Sequence, residues 1–171
     1  MCRFKGYPRS LKTKSIQGEQ EWTIANNLYA RTDLPSESPV ADEVVRIDQE
    51  TAICQPSGDV EMSEKTEESQ TPVYRLGDNG PVGVPTGLIF IRFDKATSLD
   101  ERREQLEELG FEVANEADTA EGGWVRHKSG SCEASLSNAA RLHEVEGVRV
   151  VEPQFLLPRQ SKSSRGPMGR P

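Results

Sequence analysis

Two histidines, His127 and His143, are the side chains from which acid–base chemistry in this 171-residue chain would have to start. A nucleophilic enzyme needs a nucleophile, a base within hydrogen-bond reach and a group that orients the base. His127 stands between Arg126 and Lys128 in a short strand-like stretch and reads as a partly exposed strand residue. His143 falls on the apolar face of a helical pattern and reads as a packed, hydrogen-bonded side chain. Neither a GxSxG elbow nor an HExxH pair occurs. No GxxxxGK(S/T) loop occurs either; Gly77, Gly80, Gly83 and Gly87 precede a strand and read as turns. Glu101, Glu104, Glu107 and Glu108 interleave with Arg102 and Arg103, the pattern of a solvated helix face. Cys2, Cys54 and Cys132 are odd in number, widely spaced and without a CxxC pair, which points to free thiols in a reducing compartment. The expectation is a non-enzyme: no catalytic residue, no metal ligands and no cofactor.

One stretch stands out, "GVRVVEPQFLLPRQ", residues 147–160, which ends a strand close to an apolar trio and a basic tail. Gly147 releases a β-branched run. Glu152 and Pro153 follow, then Gln154 and the apolar trio Phe155, Leu156 and Leu157, then Pro158, Arg159 and Gln160. Proline is expected to end sheet pairing at 153. Phe155, Leu156 and Leu157 then stand after the pairing ends, and Phe155 and Leu157 could fold back on the N-terminal segment.

The elements that must position this stretch sharpen from Thr86 onward. "LIFIRFD" (88–94) is an apolar run bounded by Gly87 and Asp94, hence a strand. "SLDERREQLEELG" (98–110) opens with Ser98 and has Glu101 three residues on, a capping box, and closes at Gly110. Strands follow at 111–115 and 124–128, a helix at 131–147 and a last strand at 148–156. The order β-α-β-β-α-β, with right-handed crossovers, predicts an α+β ferredoxin-like domain over 81–158: a four-stranded antiparallel sheet with both helices on one face. Residues 1–80 read as mostly irregular: a mobile arm over 1–20, a short strand or helical turn in 21–34, a possible strand in 43–54, and the Ser/Glu/Thr/Pro-rich stretch 55–72 as a linker. Residues 74–87 are turn-rich. Residues 159–171 carry four basic and no acidic residues and read as a disordered tail.

Composition limits the partners. The net charge is −7 and hydrophobic residues make up 34%, below the usual share for a packed domain. From 86 to 158 there are 8 Lys and Arg against 14 Asp and Glu. "IFIRF" resembles the first strand of an RNA-recognition module, but the expected third strand has one aromatic, Trp124, and the charge opposes a phosphate partner. No nucleic-acid partner is expected. The basic N-terminus lacks an apolar signal core, and no run approaches the ~20 apolar residues of a membrane span. These features predict a cytoplasmic protein without a membrane partner.

One resemblance adds to this reading. "TGLIFIRFD…LEELGFEV…GGWVRH…LHEVEGVRVVEPQFL" resembles the propeptide of subtilisin-like serine proteases over about 75 residues. The resemblance implies a folding chaperone and inhibitor, acting in trans or leading a protease domain. It implies that the open sheet face packs on two parallel protease helices and that the C-terminal tail lies in the substrate cleft. Glu152 would then meet the helix N-termini, whose free N–H groups and dipole favour an anion. Gln154 stands where the family often has a second acid. Leu157 would fill a distal apolar pocket and Gln160 the pocket beside the scissile bond, with Pro158 a departure from the pattern. The rival is a ferredoxin-like interaction or regulatory module without a protease partner.

Overall fold

The computed structural model describes residues 4–32, 34, 43–56, 70–116 and 121–159. In chain order they form β1 (Ser10–Ser15), β2 (Gly18–Arg31), β3 (Glu43–Arg46), β4 (Ala52–Cys54), β5 (Gln70–Leu76), β6 (Val82–Phe93), α1 (Leu99–Glu108), β7 (Phe111–Glu116), β8 (Gly122–His127), α2 (Cys132–Asn138), a 3₁₀ turn (Ala139–Glu144) and β9 (Val148–Leu156). The strands join in one antiparallel sheet of order β3-β4-β2-β1-β9-β6-β8-β7, with β5 pairing both β2 and β6.

This corrects the expected fold class. The described residues are predominantly β, with nine strands in one sheet, and do not form a four-stranded ferredoxin-like domain behind an irregular leader. The strands β9-β6-β8-β7 do lie side by side, but the sheet continues through β1 and β2 and is bridged by β5. The pairs β1–β2, β2–β5, β5–β6, β6–β9 and β9–β1 close a ring of five strands, the last through Lys14↔Val151. The sheet therefore runs straight across the expected boundary at residue 80.

Local chemistry explains the N-terminal strands. In β1, Leu11 and Thr13 are buried while Lys12 and Lys14 are exposed, the period-2 alternation of a half-buried strand. Ile16 and Gln17 make the hairpin turn, and Ser15 Oγ accepts from the Gln17 N–H and donates to the Gly18 carbonyl. Residues 1–20 are thus no mobile arm in the part described. Residues 21–31 belong to the 14-residue β2. Their alternation is blurred because Tyr29 and Ala30 are both buried, on opposite sides of a strand covered on two faces. Residues 43–54 are two short strands joined by an Asx turn, in which Asp48 Oδ1 accepts from the N–H groups of Glu50 and Thr51. Of the expected linker, 57–69 lie outside the described residues, and 70–72 open β5. The turn expected over 74–87 shrinks to Gly77–Pro81 between β5 and β6.

Three cores result. Ile89, Ile91, Phe93, Val125 and Val151 meet Leu99 and Leu106 of α1 and Leu142 of the 3₁₀ turn. Ala25, Ala30, Ile53, Val73 and Val84 pack with Leu156 beneath β3 and β4. Leu11, Trp22, Tyr74 and Leu136 pack with Phe155, drawing one residue each from β1, β2, β5, β9 and α2.

Ser98 caps α1 with the reciprocal Ser98–Glu101 box. The helix expected over 131–147 is shorter. Asn138 Nδ2 donates to the Ala134 carbonyl and the chain tightens into 3₁₀ from Ala139. Pro153 does not end β9. It pairs with Ile89 where β6 bulges between Pro85 and Ile89, a place where a sheet tolerates proline. Gly87 (φ 87°) forms that bulge, and a Cβ there would lie 3.2 Å from Cys132 Cα, so its bare backbone lets α2 sit close.

Candidate functional site

Strand register decides which side chains leave the helix-covered face. Ile89, Ile91, Val125 and Val151 point to the helices, and their alternates point away. On the far face Phe90 stands opposite Glu152 of β9 and opposite Trp124 of β8. The Phe90 and Trp124 rings are 5.1 Å apart, tilted by 58°. Beside them Trp22 and Phe155 stack at 4.2 Å with planes 18° apart. Together with Pro153, Gln154 and Leu157 these residues line a groove of about 410 Å³.

The groove is mostly apolar, with Glu152 and Gln154 its polar side chains and Glu152 its one charge among the described residues. Glu152 is exposed, and no described residue bonds its carboxylate. Arg92 and Arg126, which alternation places on this face, are engaged elsewhere: Arg92 Nη2 with Glu121 at 3.5 Å, and Arg126 Nε with Glu112 at 2.7 Å. An unpartnered carboxylate beside aromatic rings can meet a helix N-terminus or a cationic side chain.

The sequence-predicted residues are partly gathered here. Glu152, Gln154, Phe155 and Leu157 all line the groove. Gln154 Oε1 accepts from Thr86 Oγ1 at 2.9 Å, which ties its side-chain carbonyl to the β6 bulge. Phe155 and Leu156 are not a free tail. They pair with Pro85 and Val84, and each packs into a different core. Leu157 is 47% exposed and follows the last strand residue. Gly83 leaves room for this end of the chain, since a Cβ there would meet Phe155 Cβ at 2.8 Å and Leu157 Cδ2 at 3.0 Å. Pro158 is half-buried, and Arg159 is exposed beside Arg46 and Asp48 in a separate hollow. Gln160 lies outside the described residues.

Trp22 and the Phe90–Trp124 pair were not singled out as site residues. The signal for Phe90 is its place in "IFIRF", where period 2 separates Phe90 and Arg92 from Ile89 and Ile91. Nothing in the sequence brings Trp22 to the same groove, because its partner Phe155 is 133 positions away.

The histidines do other things. The His127 ring meets Phe111 edge-on, and its Nδ1 accepts from the Ser129 N–H and lies 2.8 Å from Ser129 Oγ. This serine–histidine contact spans two residues of an exposed turn, with Gly110 against Nε2, and has no carboxylate to orient the base. His143 is exposed, not packed as expected. It borders a hollow of about 340 Å³ between β1 and α2. Partial burial and the Lys14 ammonium hold its pKa below the usual imidazole value, against a smaller upward pull from Glu19. Cys132 is a free thiol, and Cys54 is buried. Burial pushes Cys132 up to about 11, opposed by its hydrogen bond with Tyr7, and burial raises the Tyr7 phenol well above its ordinary value. Among the described residues no group of three or more His, Cys, Asp or Glu could hold a metal ion, and no helix is long and apolar enough to cross a membrane.

Comparison of the chain with protein-family models, curated proteins and solved structures finds no match.

Proposed function

We propose that the chain is a non-catalytic docking module that binds a folded partner through the open face of β9-β6-β8, and that the partner is a subtilisin-like serine protease which it helps to fold and then inhibits. The observation that carries the docking face is the groove in which Phe90 and Trp124 stand beside an unpartnered Glu152. An apolar patch with a single charge at one end fits a partner that buries rings and offers positive potential. The protease as partner is supported by the resemblance of residues 86–156 to subtilisin-type propeptides.

The register of the tail changes with β9. Because the ladder runs to Leu156, any segment that enters a substrate cleft starts at Leu157. It would add as an extended strand to the cleft, with Leu157 as its first pocket residue. Trimming after Glu152 would remove the Phe155 and Leu156 anchors, so the informative truncation is after Leu156. Against a panel of subtilisin-like proteases the full chain is expected to inhibit. The chain ending at Leu156 is expected to keep binding but to lose potency by about a hundredfold. Absence of inhibition across the panel would reject the protease as partner.

The second reading is an interaction module without a protease. The incorporation of Phe155 and Leu156 into the chain's own cores favours it, since less of the C-terminal stretch is left to act as a ligand.

A further inference from the structure

We infer that the Glu152 end of the groove receives an arginine side chain from the docking partner, with the guanidinium laid against the Phe90 and Trp124 rings and its N–H fork on the Glu152 carboxylate. This rests on the open face being a docking surface, not on the partner being a protease.

Three side chains make the row. Glu152, Phe90 and Trp124 are direct cross-strand neighbours on one face of β9, β6 and β8, where directly opposed Cβ atoms lie roughly 5 Å apart. The carboxylate and the two rings therefore border one spot. The rings are tilted by 58° to each other, which presents a corner of two π-faces instead of one flat stack. A cation over such faces is attracted by the ring quadrupole. Glu152 is the sole charged residue among those described that line the groove, and Arg92 and Arg126 are held by Glu121 and Glu112. The charge the site lacks is thus a positive one. Arginine suits it better than lysine. Its planar group stacks on aromatic faces and meets a carboxylate with two parallel bonds, whereas an ammonium is a compact, strongly hydrated point charge. The net charge of −7 adds a long-range pull in the same direction.

The test uses the full-length ¹⁵N-labelled chain and a blocked Gly-Gly-Arg-Gly-Gly peptide, followed by NMR. A peptide carrying citrulline in place of arginine keeps the shape and loses the charge. The arginine peptide is expected to shift the Trp124 indole N–H and the Phe90 amide saturably, and the citrulline peptide to bind about tenfold more weakly or less. Glu152→Gln, an exposed isosteric change, should leave the rest of the spectrum in place and erase the difference between the two peptides. Equal binding of both peptides by the unaltered chain, shifts confined to other surfaces, or displacement of the arginine peptide by a leucine peptide or by oligouridylate would overturn the inference. Protease inhibition fails or succeeds separately: peptide binding without inhibition would sink the protease partner and leave the arginine site standing.

Discussion

Trp22 and Phe155 stack face to face across strands that are far apart in the chain, with ring centroids 4.2 Å apart. The contact fastens the N-terminal hairpin to the last strand and turns Phe155 from a tail residue into a structural one. Tyr74 adds a third ring 5.7 Å from Phe155 and donates its hydroxyl to the Pro8 carbonyl at 2.7 Å. Phe155→Ala should cost about 2–3 kcal/mol, below the range for a fully buried phenylalanine because this ring is half-buried. Denaturant unfolding measures it. A loss under about 0.5 kcal/mol would mean that the stack does not hold the hairpin.

Gly87 tests the bulge that sets the register of β9. Its φ of 87° is the left-handed region, and α2 lies against it. Gly87→Ala should cost about 1–3 kcal/mol from backbone strain and crowding against Cys132. A melting temperature unchanged from the parent chain would place no constraint on that turn.

Cys132 should be a slow thiol. A pKa pushed up to about 11 leaves little thiolate at pH 8, so alkylation should run roughly a hundredfold slower than for an unperturbed cysteine. Timed iodoacetamide labelling read by mass spectrometry checks this. Labelling of Cys132 at the rate of a free thiol would contradict the packing of Tyr7 and the Pro85 carbonyl around it.

His143 predicts a pH dependence with a defined sign. Its folded pKa lies below the ordinary value of 6.5, so the unfolded chain binds the proton more readily. The neutral imidazole's contribution is complete above pH 6.5 and is lost as pH falls below that value through the folded pKa. The groups around it act on it from the first hairpin: Lys14 of β1 opposes protonation and Glu19 of β2 favours it. Histidine 143 replaced by glutamine (His143→Gln) should flatten the fall in unfolding free energy between about pH 6.5 and 5. An identical fall in both proteins would assign the effect to other groups.

The part of the fold that could be read from the sequence is the part with clean periodicity. "LIFIRFD" alternates around a single core and "SLDERREQLEELG" carries its own cap, so β6 and α1 were recognisable from their residues alone. β5 was not, and β2 and β4 showed only as a short strand or helical turn in 21–34 and a possible strand in 43–54. Tyr29 and Ala30 are buried on opposite faces, β4 is three residues long and buried throughout, and β5 emerges from a polar stretch. A strand between two cores has no polar face to announce it. Glu152 was singled out only through its match to the propeptide pattern, and it lines the groove. Its neighbours Phe90 and Trp124 follow from strand register, but Trp22 depends on a ring closure between the two ends of the chain that no local pattern encodes. Pro153 misled because a proline in a strand reads as a stop unless the opposing bulge is known.

Docking through the open face is tested most directly by mapping the surface that meets a protease. The ¹⁵N-labelled full chain is titrated with catalytically inactivated subtilisin-like proteases, the partners proposed for it. The amides of Phe90, Trp124 and Glu152 should then broaden or shift together, while Leu106 of α1 and Leu136 of α2 stay unmoved. Perturbation centred on the helix face, with the aromatic groove untouched, would contradict it.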